Sequence, residues 1–82
     1  MHMAERFTDI KDSREVASII KEMRNQRKIT QTELADYAGL SRAGIAKIES
    51  GASDIKLSTL ISISNLLGFD LYLRDRSHES GE

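Results

Sequence analysis

Apolar residues recur at helical spacing through most of the chain. Val16, Ile19, Ile20 and Met23 fall at i, i+3, i+4 and i+7, and predict a helix from an Asp12 cap to about Arg27. Asp12 and Glu15 have the spacing of a capping box, in which the cap side chain and a first-turn carboxylate each take an amide that the helix leaves without an acceptor. Thr30 and Glu33 repeat that spacing and open a second helix, with Leu34, Ala35 and Ala38 as its apolar face and Gly39 as its stop. Ser41 caps a third, buried through Ile45 and Ile48 and ended by Gly51. A fourth runs from about Leu57 to Leu67, with Leu60, Ile63 and Leu67, joined by Leu57 and Ile61, closing the core before Gly68. The chain has no proline, so glycine is expected to supply every sharp stop.

Beyond Gly68 the period changes to two. Phe69, Leu71 and Leu73 alternate with Asp70, Tyr72 and Arg74, the pattern of a strand. One strand alone cannot satisfy its own backbone groups. Its expected partner is either residues 6–10, RFTDI, or the same segment of a second copy; a short fifth helix is the alternative. The expected organisation is an arm over 1–11 (with 1–3 a cloning remnant), a helical domain over 12–68, a dimerisation strand over 69–74 carrying Phe69, Leu71, Tyr72 and Leu73 at the interface, and a flexible charged tail over 75–82.

Eighty-two residues make one domain, near the lower limit for a self-sufficient core, so a second copy would add useful burial. There is no cysteine, which removes disulfides and thiolate metal sites. No apolar run approaches a membrane span, and a soluble, cytoplasmic protein without membrane contact is expected. Catalysis is not expected: His2 and His78 sit near the two ends, no acid–base pair is suggested, and no phosphate-cradling glycine loop is present. The same poverty of ligands leaves no metal site and no cofactor in view.

The helix–turn–helix core carries a more specific pattern. In the window 31–50, QTELADYAGLSRAGIAKIES, a small residue stands at position five, glycine at nine, and aliphatics at four, ten, fifteen and eighteen. These are Ala35, Gly39, Leu34, Leu40, Ile45 and Ile48, and the set resembles the DNA-binding helix-turn-helix. The pieces T-Q-x-E-L-A and S-x-x-x-I-x-x-I-E are similar to the Xre family of phage-repressor-like regulators over about residues 16–68. The resemblance implies an all-α, lambda-repressor-like bundle of four helices, here with the C-terminal β-strand added. An LGFDLYL tail after this motif is similar to HipB-type antitoxins, which implies a homodimer closed by an intersubunit ribbon, a double-stranded DNA operator, and a HipA-like kinase toxin as a further partner. A stand-alone repressor and a protein-binding transcriptional adaptor are the other roles open to the fold.

A formal net charge of −1 is low for a DNA binder, but Lys21, Arg24, Arg27 and Lys28 cluster near the end of the first helix and Arg42, Lys47 and Lys56 lie in or after the motif. By the resemblance, the third helix enters the major groove. Arg42 is then the foremost base reader, its guanidinium matching O6 and N7 of a guanine. Ala43 and Ala46 allow close approach, and Lys47 reaches a base or a phosphate. Gly44 has two readings, a close backbone approach to DNA or a tolerated residue without function. Gln31 is expected to bond a phosphate and brace the third helix, with Thr32, Ser41, Ser53 and Lys56 as further backbone contacts. Family practice also pairs an arginine late in the first helix with an acid at the end of the third, here Arg24 with Glu49.

Overall fold

A computed structural model describes residues 6–77 and contains four helices among them: α1 (Ser13–Gln26), α2 (Gln31–Ala38), α3 (Arg42–Glu49) and α4 (Leu57–Leu67). Their start signals are the expected side chains. Asp12 accepts from the amides of Arg14 and Glu15 at 3.0 and 3.1 Å. Its box is displaced by one residue, because the Glu15 carboxylate takes the amide of Lys11 (2.7 Å). The second box is reciprocal, Thr30 N–H to Glu33 Oε1 at 2.8 Å and Glu33 N–H to Thr30 Oγ1 at 3.0 Å. Ser41 Oγ accepts the amide of Gly44 at 3.0 Å. Lys56, at the start of α4, makes no side-chain cap.

The stops depart from expectation at one place. Gly39 and Gly68 take left-handed backbone at the ends of α2 and α4, but after α1 that role falls to Lys28, with φ of 58°. A side chain there is strained by about 1–2 kcal/mol. Exchanging it for glycine removes the strain and loses about 0.5–1 kcal/mol to the freer unfolded chain. Lys28→Gly is therefore expected to raise the melting temperature by a few degrees, read by circular dichroism; a lowered value would mean that the lysine stem contributes more packing than its backbone geometry loses.

The core is a single cluster of Val16, Ile20, Leu34, Ala35, Ile45, Ile48, Ile63 and Leu67, with Ile20, Leu34, Ile45, Ile63 and Leu67 fully enclosed. In α1 the buried stripe is Val16, Ala17, Ile20 and Arg24, turned away from the Ile19 side, so Ile19 is half-buried. In α4 it is Ile63, Ser64 and Leu67, continued by half-buried Leu60 into an i, i+3, i+4, i+7 row in which Ser64 satisfies its hydroxyl on the Ile61 carbonyl at 2.7 Å. Leu57 and Ile61 were expected inside; they lie on the other side of that row and are 67% and 46% exposed. The apolar density of α4 hides which of two faces is the inner one.

Ala35 is 2% exposed in this cluster, on the side of α2 that packs against α3 and α4. A leucine there has no room in a close-packed interior and is expected to remove about 1–3 kcal/mol of stability. A thermal transition of Ala35→Leu unchanged from the parent would show that the α2–α3 crossing has slack.

The strand expected over 69–74 is absent: among the described residues there is no strand, and this segment forms no fifth helix either. Extended backbone needs a partner ladder, and none forms among the described residues. Phe69 instead turns back, its amide on the Ser64 carbonyl at 3.1 Å and its ring against the core, while Leu71, Tyr72 and Leu73 stay exposed. The arm at 6–10 passes nearby without pairing; Phe7 meets Tyr72 edge-on with centroids 5.5 Å apart. Within the tail, the amide and then the hydroxyl of Ser77 hold the Asp75 carboxyl below its ordinary value. The expected remnant at 1–3, both histidines and the end of the charged tail at 78–82 lie outside the described residues. No helix among the described residues is long and apolar enough to cross a membrane.

Candidate nucleic-acid interface

Three residues separate α2 from α3, and Gly39, with φ of 72°, makes that turn possible. The Leu40 amide reaches back to the Ala35 carbonyl at 2.9 Å, which closes the end of α2 and aims the chain into the Ser41 cap. Ile45 and Ile48 bury the inner side of α3. The opposite side leaves Arg42, Ala43 and Lys47 exposed and Gly44 and Ala46 half-buried. Ser41 and Thr32 are exposed beside them, Gln31 is half-buried at the first position of α2, and Ser53 and Lys56 are exposed between α3 and α4.

Gly44 has a structural reason that neither reading of the sequence contained. A Cβ on it would stand 3.3 Å from Ser41 Oγ, the atom that caps the helix through the Gly44 amide. The missing side chain leaves the cap unhindered. Gly51 is constrained twice: φ is 80°, and a Cβ would come to 3.0 Å of the Arg14 stem. The start of α1 thereby packs against the loop after α3, and Ser13 Oγ ties down the same loop by donating to Asp54 at 3.0 Å.

The far end of α3 is fixed by a buried polar cluster. Arg24 donates from Nε to Glu49 Oε2 at 2.6 Å and from Nη2 to Oε1 at 3.0 Å, a two-pronged pair with side chains 10% and 3% exposed. The remaining prong, Nη1, donates to the Ile29 carbonyl at 2.7 Å in the α1–α2 loop. Gln31 Nε2 then donates to Glu49 Oε1 at 3.1 Å. The Arg24–Glu49 pair at the end of α3 thus gathers α1, the loop and α2, and among the described residues no buried side-chain polar atom lacks a partner. Arg24 belongs to the sequence's basic cluster, yet its guanidinium is used inside the fold. Gln31's bond to Glu49 ties α2 to the end of α3, the bracing that the family resemblance implied, but the identity of the partner has no periodic signal, since the two residues stand eighteen apart on different helices.

Charge on the exposed surface is mixed. Arg42 and Lys47 mark α3 and Lys56 the following loop, while Glu33 and Asp36 stand on the outer side of α2. Among the described residues no group of three or more histidines, cysteines or acids is placed to hold a metal ion. What the arrangement offers is a short helix held rigidly at its carboxyl end and bare at its amino end. An exposed arginine beside small residues at that end is suited to reading a base edge in a major groove.

Comparison with known proteins agrees with this geometry. A helix-turn-helix family model matches residues 20–73. An HTH-type transcriptional regulator of Bacillus subtilis, YqaE, is 37% identical over 62 residues, which is 73% of this chain and 53% of that protein. The immunity repressor protein of Bacillus phage phi105 is 41% identical over 56 residues, 68% of this chain and 39% of the repressor. The chain therefore spans about half or less of the length of these relatives. Among solved structures, a chain of a HipA-HipB-O2-O3 complex superposes with a TM-score of 0.71 at 30% identity, over 85% of this chain and 99% of that one.

Proposed function

Because the chain belongs to the Xre-type helix-turn-helix family of transcriptional regulators, we propose that it is a sequence-specific DNA-binding repressor acting as a homodimer on a near-palindromic operator. The observation that carries this reading is α3 itself, with its amino end exposing Arg42 and Ala43 and its last residue locked into the Arg24 pair. Arg42 reads a guanine, Ala43 and Ala46 lie against the groove, Gly44 keeps the backbone near it, and Lys47 meets a base or a phosphate. Gln31, Thr32, Ser41, Ser53 and Lys56 hold the DNA backbone and set register. Lys56 is exposed at the start of α4, within reach of solvent and of a DNA backbone laid along α3.

One half-site presents few base contacts, and useful specificity needs two recognition helices about 34 Å apart. The apolar surface that a second copy would cover is Leu71, Tyr72 and Leu73, the last 93% exposed. A Leu71→Asp, Leu73→Asp double variant is expected to sediment as a monomer where the parent sediments as a dimer. An unchanged dimer would move the interface elsewhere.

Within this role we read the chain as the autoregulating antitoxin of a HipA-like kinase, supported by the superposition on the HipB-containing complex over nearly the whole of that chain. A stand-alone repressor is favoured instead by the likeness to the phage immunity repressor. Co-purification with a kinase-like protein encoded beside it supports the antitoxin; a kinase-free neighbourhood supports the repressor. The DNA-binding reading shared by both is tested by fluorescence anisotropy on DNA from just upstream of the gene against scrambled DNA at two salt concentrations. Selective binding that falls with salt, with a log–log slope of about −0.9 for each phosphate contacted, is the expected result. Equal binding to both sequences would remove the autoregulatory role.

A further inference from the structure

We propose that Glu49 is a positioning residue for DNA binding: by holding one N–H of the Gln31 amide, it fixes that amide with its other N–H outward, toward a phosphate. The inference rests on the DNA-binding reading above and adds a cause for a contact that Gln31 alone would not make reliably.

A glutamine amide has two ends of nearly equal size and opposite hydrogen-bonding sense, and a half-turn about its last bond exchanges them. On a helix's first turn, with one side toward solvent, little else selects between the ends. Here selection comes from the acceptor. Glu49 carries no proton to donate, so only the Nε2 end can face it, and the two meet at 3.1 Å. The reversed amide would set the Gln31 carbonyl oxygen against a carboxylate oxygen with no hydrogen between them. The carboxylate cannot turn away, because two guanidinium bonds from Arg24 hold it in the interior.

Two consequences follow for an anion at the surface. The second N–H on Nε2 keeps a fixed direction and no competing acceptor orientation, so its ordering is complete before DNA arrives. The carboxylate's negative charge is matched by Arg24 at 2.6 Å, so the acid that orients the glutamine does not repel the phosphate that the glutamine receives. The three residues come from α1, α2 and α3, which means that the placement of α3 and the aim of the phosphate contact are set by one group.

The test is a thermodynamic cycle read on DNA affinity with a short mixed-sequence duplex at low salt, a probe that needs no knowledge of the operator. In the parent, Gln31→Ala is expected to weaken binding about tenfold or more, the effect of one hydrogen bond to a charged acceptor. In the Arg24→Met, Glu49→Met background the same change is expected to weaken binding less than about twofold, because the amide is no longer aimed. An equal loss in both backgrounds, or none in the parent, overturns the positioning role while leaving DNA binding intact. Absence of any duplex binding by the parent overturns the DNA-binding reading and this inference together. A second measurement needs no variant: by NMR, added duplex should shift the outer Gln31 side-chain amide proton more than the one held by Glu49. Equal shifts of the two protons, or two protons that duplex leaves unmoved, would also overturn it.

Discussion

Arg24→Met is expected to remove about 3–5 kcal/mol of folding stability, read as the free energy of urea unfolding, because it leaves the Glu49 carboxylate buried without its counter-charge. For 82 residues, the total is on the order of 4–12 kcal/mol, so this variant stands at the edge of folding. The loss has three parts: two guanidinium bonds to Glu49 and a third to the Ile29 carbonyl. Removing both charges is a different experiment. Arg24→Met with Glu49→Met takes away the desolvation cost along with the attraction, and such exchanges of a buried pair for apolar side chains are often neutral or better. The double variant is expected to recover most of the stability lost by the single one. A double variant as unstable as Arg24→Met would mean that the polar cluster, with its bonds to Ile29 and Gln31, contributes net stability beyond its own desolvation cost.

Arg42→Ala is expected to weaken binding to the preferred site by about 1–3 kcal/mol and to relax discrimination at one base pair of each half-site. The folded state should be untouched, since Arg42 is exposed at the first position of α3 and the helix is capped by Ser41 rather than by the arginine. The distinction from a phosphate contact lies in which sequences suffer. A base reader loses affinity only where its base is present, while a backbone contact loses it everywhere and lowers the salt slope by about one unit. Equal losses on preferred and scrambled DNA would reassign Arg42 to the backbone.

Much of the fold was legible because its signals are local. Caps at Asp12, Thr30 and Ser41, glycines after α2 and α3, and the 3.6-residue recurrence in α1 each depend on residues within one or two turns. Lys28 was not legible as a helix stop, since a left-handed lysine is held by its surroundings rather than by its own preference. In α4, six apolar residues in eleven blurred the stripe, and the serine at position 64 sits where a leucine would have marked the inner face. The tail at 69–74 alternates as a strand does, but alternation states only that two sides differ; pairing needs a second strand, and the described residues supply none. At the site, the Arg24–Glu49 pair was reached through family resemblance. The bond from Gln31 and the room that Gly44 leaves for the Ser41 cap are three-dimensional facts without a period in the sequence.

The central claim is that a pair of α3 helices reads a symmetric DNA sequence, and selection from a random-sequence duplex library tests it most directly. Repeated rounds of binding and amplification with the parent protein should enrich an inverted repeat whose half-site centres lie about one helical turn, roughly 34 Å, apart. The Arg42→Ala variant should enrich the same repeat with one position of each half-site left open. A library that stays unenriched while the protein remains folded would contradict sequence-specific reading, and enrichment of a single asymmetric site would contradict the symmetric pair.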